Sequence, residues 1–203
     1  MTQGADALLF DLGNVVIDID FNRAFARWAA HAGCEVAAVR QRFAIDEALM
    51  RHEIGAISDG EFFASLRGSL GIDLSDAEFL DGWNAIFVGE ADGIAATLAQ
   101  AAARLPVYAF SNTNPAHETH WSARFADTIR HFRKIYVSST IRLRKPDAAA
   151  FRFVVDDIGV AADRILFFDD SLANVEGARA CGLQAVHVRG PADIRAALAP
   201  LLG

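Results

Sequence analysis

The stretch Leu8-Leu9-Phe10-Asp11-Leu12-Gly13-Asn14-Val15-Val16 decides the fold. It starts as an apolar run typical of a buried strand, ends in a carboxylate at Asp11, and continues through Gly13 and Asn14, two residues suited to an irregular backbone. In an open parallel sheet, ligands bind beyond the carboxyl ends of the strands. The stretch therefore predicts a rigid strand that presents Asp11 at the mouth of a functional site.

The composition is that of a globular protein. The chain has 203 residues, of which 53% are hydrophobic, enough for one ordinary domain with an insertion. Its 19 basic and 26 acidic residues give a net charge of -7 without a Lys/Arg cluster, which argues against nucleic acid and anionic membranes as partners. Cys34 and Cys181 are isolated and fit a reducing compartment. Because the sequence shows neither a long apolar run nor a signal-peptide pattern, we expect a cytoplasmic location.

From residue 91 onward, helical and strand patterns alternate. Apolar strands are predicted at 107–110, 134–138, 164–168 and 184–188. Helices are predicted at 115–126, 146–158 and 171–181, and from 191 onward. Alternation of this kind predicts an α/β fold with a Rossmann-like parallel sheet flanked by helices.

The segment that follows the first strand has a different character. After a short alternating piece at 15–20, apolar residues recur at helical spacing up to about residue 88. Two capping boxes, Ser58 to Glu61 and Ser75 to Glu78, mark helix starts. We therefore predict a small all-helical domain at 17–89, inserted into a core domain formed by 1–16 and 90–203.

Polar residues at the predicted strand ends form a set suited to phosphoryl transfer. Asp11 closes the first strand, Ser111 the second, and the pair Asp169-Asp170 the fourth, while Lys145 lies in a loop ahead of a helix. Asp11 can attack phosphorus and form an aspartyl phosphate. A magnesium ion between Asp11 and the acidic pair would reduce carboxylate repulsion, and Ser111 and Lys145 would hold the phosphate oxygens.

These motifs resemble those of the haloacid dehalogenase superfamily. The four matching elements are Asp11 with its strand, Ser111-Asn112, Lys145-Pro146, and Phe168-Asp169-Asp170-Ser171, in the order typical of that superfamily. The resemblance covers essentially the whole chain, and it implies that the inserted helical domain is a cap over the site. Phe10 to Arg23 and Ser111 to Asn114 are most similar to the bacterial α-D-glucose-1-phosphate phosphatase subgroup.

The resemblance also implies roles for individual residues. By similarity, Asp11 is the nucleophile and a magnesium ligand, the Gly13 carbonyl is a second ligand, and Asp170 is a third. Asp169 is either a ligand or the partner that orients Lys145. The motif residues Ser111, Asn112 and Lys145 are expected to bind the substrate phosphate.

One position departs from the pattern of most phosphatases in the superfamily. Gly13 stands where they carry a second aspartate that protonates the leaving oxygen, a contribution worth roughly 100- to 10,000-fold. Either the leaving group needs little protonation, as with the anomeric oxygen of a sugar, or a cap residue serves instead. His52 and Glu53 are the candidates for that role and for substrate binding.

The sequence therefore predicts a magnesium-dependent phosphatase that hydrolyses a small phosphomonoester, and the subgroup resemblance implies a sugar phosphate such as α-D-glucose 1-phosphate. Two alternatives stay open. One is a metal-independent 2-haloacid dehalogenase, which also lacks the second acid. The other is a catalytically inactive binding or regulatory protein of the same fold. The adjacent Asp169 and Asp170 favour the phosphatase, because carboxylates this close to Asp11 need a cation between them.

Overall fold

The strand β1 (Ala7–Phe10) lies at the centre of a five-stranded sheet in the computed structural model, which describes residues 4–202. Its neighbours are β4 (Val107–Ser111) and β6 (Ile165–Asp169), and β5 (Lys134–Val137) and β7 (Gln184–His187) form the two edges. All four pairings are parallel. The parallel sheet predicted from the alternating pattern is confirmed.

Twelve α-helices accompany the strands in the described residues. In chain order they are α1 (Phe21–Ala32), α2 (Val36–Arg42), α3 (Glu47–Glu53), α4 (Asp59–Leu70), α5 (Asp76–Asn84), α6 (Ile94–Ala102), α7 (Pro115–Arg124), α8 (Ala126–Ile129), α9 (Ser138–Ile141), α10 (Ala148–Ile158), α11 (Leu172–Ala180) and α12 (Pro191–Leu202). Within residues 4–202, none of these helices combines the length and the apolar character that a membrane crossing needs.

The continuous apolar run of β1 is explained by burial on both faces of the sheet. Leu8 and Phe10 point into one core cluster and Ala7 and Leu9 into the other, and all four are fully buried. The Phe10 ring stacks on that of Phe168 in the neighbouring strand β6, with centroids 4.5 Å apart. A strand covered on both faces has no solvated side and so shows no polar alternation. This packing fixes the position of Asp11, the next residue along the chain.

The inserted segment begins and ends in short strands. β2 (Ile17–Ile19) and β3 (Phe87–Glu90) pair antiparallel at its base, and α1 to α5 lie between them. Both predicted capping boxes are present at the starts of α4 and α5. The expectation that the helical pattern continues to about residue 88 is wrong, because α5 ends at Asn84 and Phe87 starts β3. The division into an inserted domain at 17–89 and a core domain at 1–16 and 90–203 stays a prediction. Residues 1–3 and 203, the two ends of the predicted core domain, lie outside the described part of the chain.

The packing of α1 on α5 depends on one tryptophan and one glycine. The Trp28 ring is fully buried, stacks on Trp83 at 6.1 Å, and its Nε1 donates a hydrogen bond to the main-chain oxygen of Phe79. A Cβ atom at Gly82 would overlap the Trp28 indole, so only glycine permits this approach. The close contact holds together α1 and α5, the first and last helices of the insertion.

One predicted helix start is wrong, and another helix begins where predicted but without a side-chain cap. The helix expected from Pro146 begins at Ala148, because Lys145 and Pro146 belong to the loop that enters the candidate site. Ser171 precedes α11 as expected, but its side chain makes no capping hydrogen bond. Its main-chain N–H donates instead to Asp169 Oδ1 at 2.8 Å. Both departures occur where backbone groups take part in the site described next.

Candidate active site

The order of the strands brings the predicted site residues to one edge of the sheet. Asp11 follows β1, Ser111 ends β4 and Asp169 ends β6, and β1 lies between the other two strands. Because all three strands are parallel, their carboxyl ends meet at the same edge. Asp170 follows β6 directly, and Lys145 reaches the same edge from the loop before α10.

Lys145 occupies the centre of this group. Its Nζ atom donates hydrogen bonds to Asp169 Oδ2 and to the main-chain oxygen of Phe110, both at 2.7 Å, and lies 2.9 Å from Asp11 Oδ1. The side chain is 1% exposed. Burial lowers the pKa of Lys145, but the attraction of Asp11 and Asp169 outweighs it, so the net pKa is raised. The ammonium group is therefore charged at neutral pH.

Asp11 is buried beside this cation. Its Oδ1 accepts a hydrogen bond of 2.7 Å from the main-chain N–H of Leu12. Burial, together with the nearby carboxylates of Asp169 and Asp170, raises the pKa of Asp11 to about 7 against the attraction of Lys145. Additional positive charge at this position would keep the Asp11 carboxylate ionised.

Asp169 has both oxygens occupied by hydrogen-bond donors. Oδ1 accepts from the N–H of Ser171 at 2.8 Å and from Asn174 Nδ2 at 3.0 Å. Oδ2 accepts from Lys145 Nζ at 2.7 Å and from Asn174 Nδ2 at 3.1 Å. The carboxylate is fully buried. This arrangement suits a residue that orients Lys145, the second of the two roles the sequence left open.

Asp170 differs from its neighbour because it has few donors. Asn14 Nδ2 donates to Asp170 Oδ2 at 3.1 Å, and Asn14 Oδ1 accepts from the N–H of Ile19 at 3.2 Å. Asn14 lies in the left-handed backbone region, with φ 54°, a conformation that asparagine tolerates better than most residues. Burial raises the pKa of Asp170. The sequence marked Asn14 only as a turn residue, and its amide links to Asp170 and to Ile19 could not be read from it.

The three aspartates meet the requirement for a hard divalent cation. One carboxylate oxygen from each of Asp11, Asp169 and Asp170 lies within 4.8 Å of the others. Magnesium prefers oxygen ligands, and Lys145 is the single side-chain cation in direct contact with these carboxylates among the described residues. Gly13, whose carbonyl the resemblance implied as a ligand, lines the same cavity. The donor set therefore fits magnesium.

Ser111 and Asn112 lie at the end of β4 but differ in what they contact. Ser111 is buried at the cavity wall. The Asn112 side chain forms two hydrogen bonds with the main chain of Lys145, accepting from its N–H at 2.9 Å and donating to its oxygen at 2.8 Å. Asn112 also lines the cavity, and its contact with the substrate phosphate stays a prediction. Both atoms of its amide group already position the Lys145 backbone.

The two candidate residues of the insertion are adjacent in α3 but face different surroundings. His52 is fully buried, its Nε2 lies 2.7 Å from Asp59 Oδ1, and its ring stacks on Phe62 at 4.3 Å. It does not line the cavity, so the structure contradicts its predicted contact with substrate. Glu53 lines the cavity and pairs with Arg144, whose Nη2 lies 2.8 Å from Glu53 Oε2. Burial raises the pKa of Glu53 despite this partner.

A cavity of about 320 Å³ lies between the sheet edge and the insertion. The sheet edge contributes polar groups, whereas the insertion contributes mainly apolar side chains. His117 and Trp121 of α7, which the sequence placed just past the second strand, also line it. His117 Nε2 lies 3.0 Å from the main-chain oxygen of Trp83, and burial lowers the pKa of His117 to about 3. The imidazole is therefore neutral and connects the core to the insertion.

The relatives that share sequence with this chain include a phosphatase and a much longer cyclase. A D-ribitol-5-phosphate phosphatase of Bacteroides thetaiotaomicron is 24% identical over 204 aligned residues, which cover 96% of this chain and 97% of that protein. Drimenol cyclase drtB of Aspergillus calidoustus is 35% identical over 100 residues, a match that covers 49% of this chain but 19% of that much longer protein.

A solved structure also matches over nearly the whole chain. The fold superposes on a haloacid dehalogenase family enzyme of Bacteroides thetaiotaomicron, crystallised with magnesium and inorganic phosphate, with a TM-score of 0.80 and 26% identity. The superposition covers 93% of this chain and 96% of that one. The family described as haloacid dehalogenase-like hydrolase matches residues 5–182. The chain therefore belongs to the haloacid dehalogenase-like hydrolases.

Proposed function

We propose that this protein is a magnesium-dependent phosphatase that hydrolyses a small phosphomonoester through an aspartyl-phosphate intermediate. The observation that carries the proposal is the position of Lys145, between a buried candidate nucleophile, Asp11, and a fully buried Asp169. The relative named as a D-ribitol-5-phosphate phosphatase and the structural neighbour crystallised with magnesium and phosphate support the same reaction class.

Asp11 is the proposed nucleophile. A carboxylate oxygen of Asp11 forms a bond to phosphorus, the bond from phosphorus to the ester oxygen breaks, and the alcohol leaves with a proton. Water then attacks phosphorus and returns a proton to the group that protonated the alcohol, the Asp11–phosphorus bond breaks, and inorganic phosphate is released. Because Asp11 lies at the end of a strand buried on both faces, its position relative to the bound phosphate is fixed before reaction.

Lys145 and Ser111 are the proposed phosphate contacts. Two of the three Lys145 N–H groups are held by Asp169 and by the main-chain oxygen of Phe110, and the third lies toward Asp11. A phosphate placed for attack by Asp11 therefore meets a charged donor that needs little reorganisation. We propose Asp169 and Asn112 as the residues that position Lys145.

Asp11, Asp170 and the Gly13 carbonyl are the proposed magnesium ligands. Asp170 is preferred over Asp169, because the hydrogen bonds to Asp169 leave its oxygens little capacity for a metal. Bound magnesium supplies positive charge that reduces the repulsion between the phosphate and the attacking carboxylate.

Glu53 is the proposed source of the leaving-group proton that Gly13 does not supply. It lines the cavity, and burial raises its pKa, so it keeps its proton to a higher pH than an exposed glutamate. A leaving group that needs little protonation is the other explanation. The two explanations predict that activity depends in different ways on the leaving group of the substrate.

The resemblance to the α-D-glucose-1-phosphate phosphatase subgroup predicts a sugar phosphate as substrate, and the name of the D-ribitol-5-phosphate phosphatase relative supports the wider class. The site at the sheet edge recognises the phosphate itself and does not distinguish one phosphomonoester from another. The cytoplasmic location also stays a prediction, and a small phosphorylated metabolite is the proposed partner.

The test is phosphate release from a panel that includes α-D-glucose 1-phosphate, D-ribitol 5-phosphate and acetyl phosphate, with and without magnesium. We expect magnesium-dependent release by the natural protein and none by Asp11→Asn. Halide release from a 2-haloacid without added metal would favour the dehalogenase alternative. Absence of both products would favour an inactive binding or regulatory protein.

A further inference from the structure

The cavity wall formed by the insertion is apolar. The aliphatic and aromatic side chains that it contributes to the lining include Ile19, Phe21, Ile45, Leu49 and Ile86. Glu53 is the one acidic residue of this wall among the described residues, and its carboxyl group already pairs with Arg144. The wall that would contact the organic part of a substrate therefore offers aliphatic and aromatic surface.

Two polar side chains of the cavity lining, Asn114 and His117, already bond to one another. Asn114 Oδ1 accepts from the N–H of His117 at 3.0 Å, and Asn114 Nδ2 lies 3.2 Å from His117 Nδ1. The other ring nitrogen of His117 is 3.0 Å from the main-chain oxygen of Trp83. With Nε2 donating to that oxygen, Nδ1 accepts from Asn114, and all four side-chain groups are satisfied.

Few groups then remain for the hydroxyls of a sugar. Within the described part of the lining, apart from the polar groups beside the aspartates, these are the Thr113 hydroxyl and the N–H groups of Arg144 that do not contact Glu53. The indole N–H groups of Trp83 and Trp121 also lack a partner, but both are themselves buried away from solvent. A hydroxyl taken from water into such surroundings without a partner carries an unfavourable desolvation free energy. The hydroxyls of a polyhydroxylated substrate that face the apolar wall would find no partner there.

The mouth of the cavity adds an independent observation. Ile45, in the segment between α2 and α3, is 74% exposed, more than any other large hydrophobic side chain in the described residues, and it lines the cavity. Its exposed surface would be removed from water by an apolar group bound there. A hydroxylated group at the same place would gain nothing from this contact.

We infer that the organic part of the substrate is apolar, so that the protein acts on the phosphomonoester of an aliphatic or aromatic alcohol rather than on a sugar phosphate. This inference rests on the proposed function for the phosphate end of the site. It assigns the phosphate to the sheet edge and the hydrocarbon to the wall formed by Ile19, Phe21, Ile45, Leu49 and Ile86. It departs from the sugar phosphate predicted from the sequence.

The experiment compares two ligands with the same number of carbon atoms, n-pentyl phosphate and D-ribitol 5-phosphate. Their binding to the full-length Asp11→Asn protein with magnesium is measured by calorimetry, because this variant does not consume them. We expect pentyl phosphate to bind at least about tenfold more tightly, the discrimination typical of an apolar pocket, with a negative heat-capacity change. Equal or tighter binding of D-ribitol 5-phosphate, or no binding of pentyl phosphate, overturns the inference.

A matched pair of surface substitutions tests the assigned wall. Ile45→Asn changes an exposed residue that lines the cavity, and Met50→Asn changes an exposed residue on α3 that does not. Neither is buried, so both variants are expected to fold. We expect Ile45→Asn to weaken binding of pentyl phosphate severalfold and to leave binding of D-ribitol 5-phosphate unchanged. Met50→Asn is expected to change the binding of neither ligand. Equal effects of the two variants, or none from Ile45→Asn, contradict the assignment.

Acetyl phosphate separates failure of the inference from failure of the proposed function. It has two carbon atoms and a good leaving group, so its hydrolysis depends on the phosphate site and little on the apolar wall. Magnesium-dependent hydrolysis of acetyl phosphate together with a preference for D-ribitol 5-phosphate would refute the inference alone. Absence of hydrolysis with retained selectivity for pentyl phosphate would refute the proposed reaction and keep the apolar site.

Discussion

The ammonium group of Lys145 lies 2.7 Å from the Asp169 carboxylate, and both side chains are sealed from solvent. Breaking one partner of such a buried pair leaves an uncompensated charge. Lys145→Met is therefore expected to lower the free energy of unfolding by about 3–5 kcal/mol at pH 7 and to abolish turnover. Urea denaturation measures the first effect and phosphate release the second.

The double variant Lys145→Met/Asp169→Asn provides the control for that result. If the loss in the single variant comes from the orphaned Asp169 carboxylate, removing its charge recovers part of the stability but none of the activity. A double variant less stable than the single one would show that the pair is not the source of the effect.

Substitution of the two adjacent aspartates separates the proposed metal ligand from the proposed positioning residue. Asp170→Asn is expected to raise the magnesium concentration for half-maximal activity by at least about tenfold, because it removes a ligand. Asp169→Asn is expected to lower kcat with a smaller change in that concentration, because it disturbs Lys145. Magnesium titrations of both variants measure this difference, and the reverse pattern would exchange the two roles.

Glu53→Gln tests the proposed general acid. We expect kcat to fall by about 100-fold for pentyl phosphate, whose alkoxide needs a proton to leave. With p-nitrophenyl phosphate, whose phenolate leaves unprotonated, kcat should change little. The adjacent His52→Gln variant is the matched control, because His52 lies outside the cavity lining. Equal losses for both substrates in Glu53→Gln would contradict the assignment.

The stability of the protein is expected to depend on the protonation of His117. Because the pKa of His117 is lowered to about 3 in the folded protein, the unfolded chain binds a proton below about pH 6.5 that the folded chain does not. The contribution of neutral His117 to the free energy of unfolding is therefore fully present above that pH. It falls with acidification by roughly 1.4 kcal/mol per pH unit.

Denaturation of the natural protein and of His117→Gln at pH 7.5 and pH 5.5 measures the contribution of His117 to the free energy of unfolding. The pKa of His52 is lowered as well, by burial, but that residue is present in both proteins and its effect cancels in the comparison. We expect the difference between the two proteins to shrink at the lower pH. An unchanged difference would show that His117 is protonated in the folded state.

The sheet and its edge could be predicted from the sequence because both follow from short-range patterns. An apolar run that ends at Asp11, and another that ends at Asp169, specify buried parallel strands and the place where their ends meet. The capping boxes of α4 and α5 are equally local, since each needs two residues three positions apart.

The division of roles between neighbouring residues could not be predicted. Successive side chains on α3 point about 100° apart, so Glu53 reaches the cavity while His52 packs against Phe62. Asp169 and Asp170 differ because Asn174, on the next helix, donates to one and not to the other. Such choices depend on contacts between distant parts of the chain, which spacing along the sequence does not specify.

The most direct test of the account is detection of phosphate covalently attached to Asp11. The natural protein is mixed with magnesium and acetyl phosphate, quenched in acid within the first turnover, digested, and examined by mass spectrometry. We predict a phosphorylated peptide that contains Asp11, absent without magnesium and absent from Asp11→Asn. Full turnover by the Asp11→Asn protein, or a phosphorylated residue other than Asp11, would contradict the proposed mechanism.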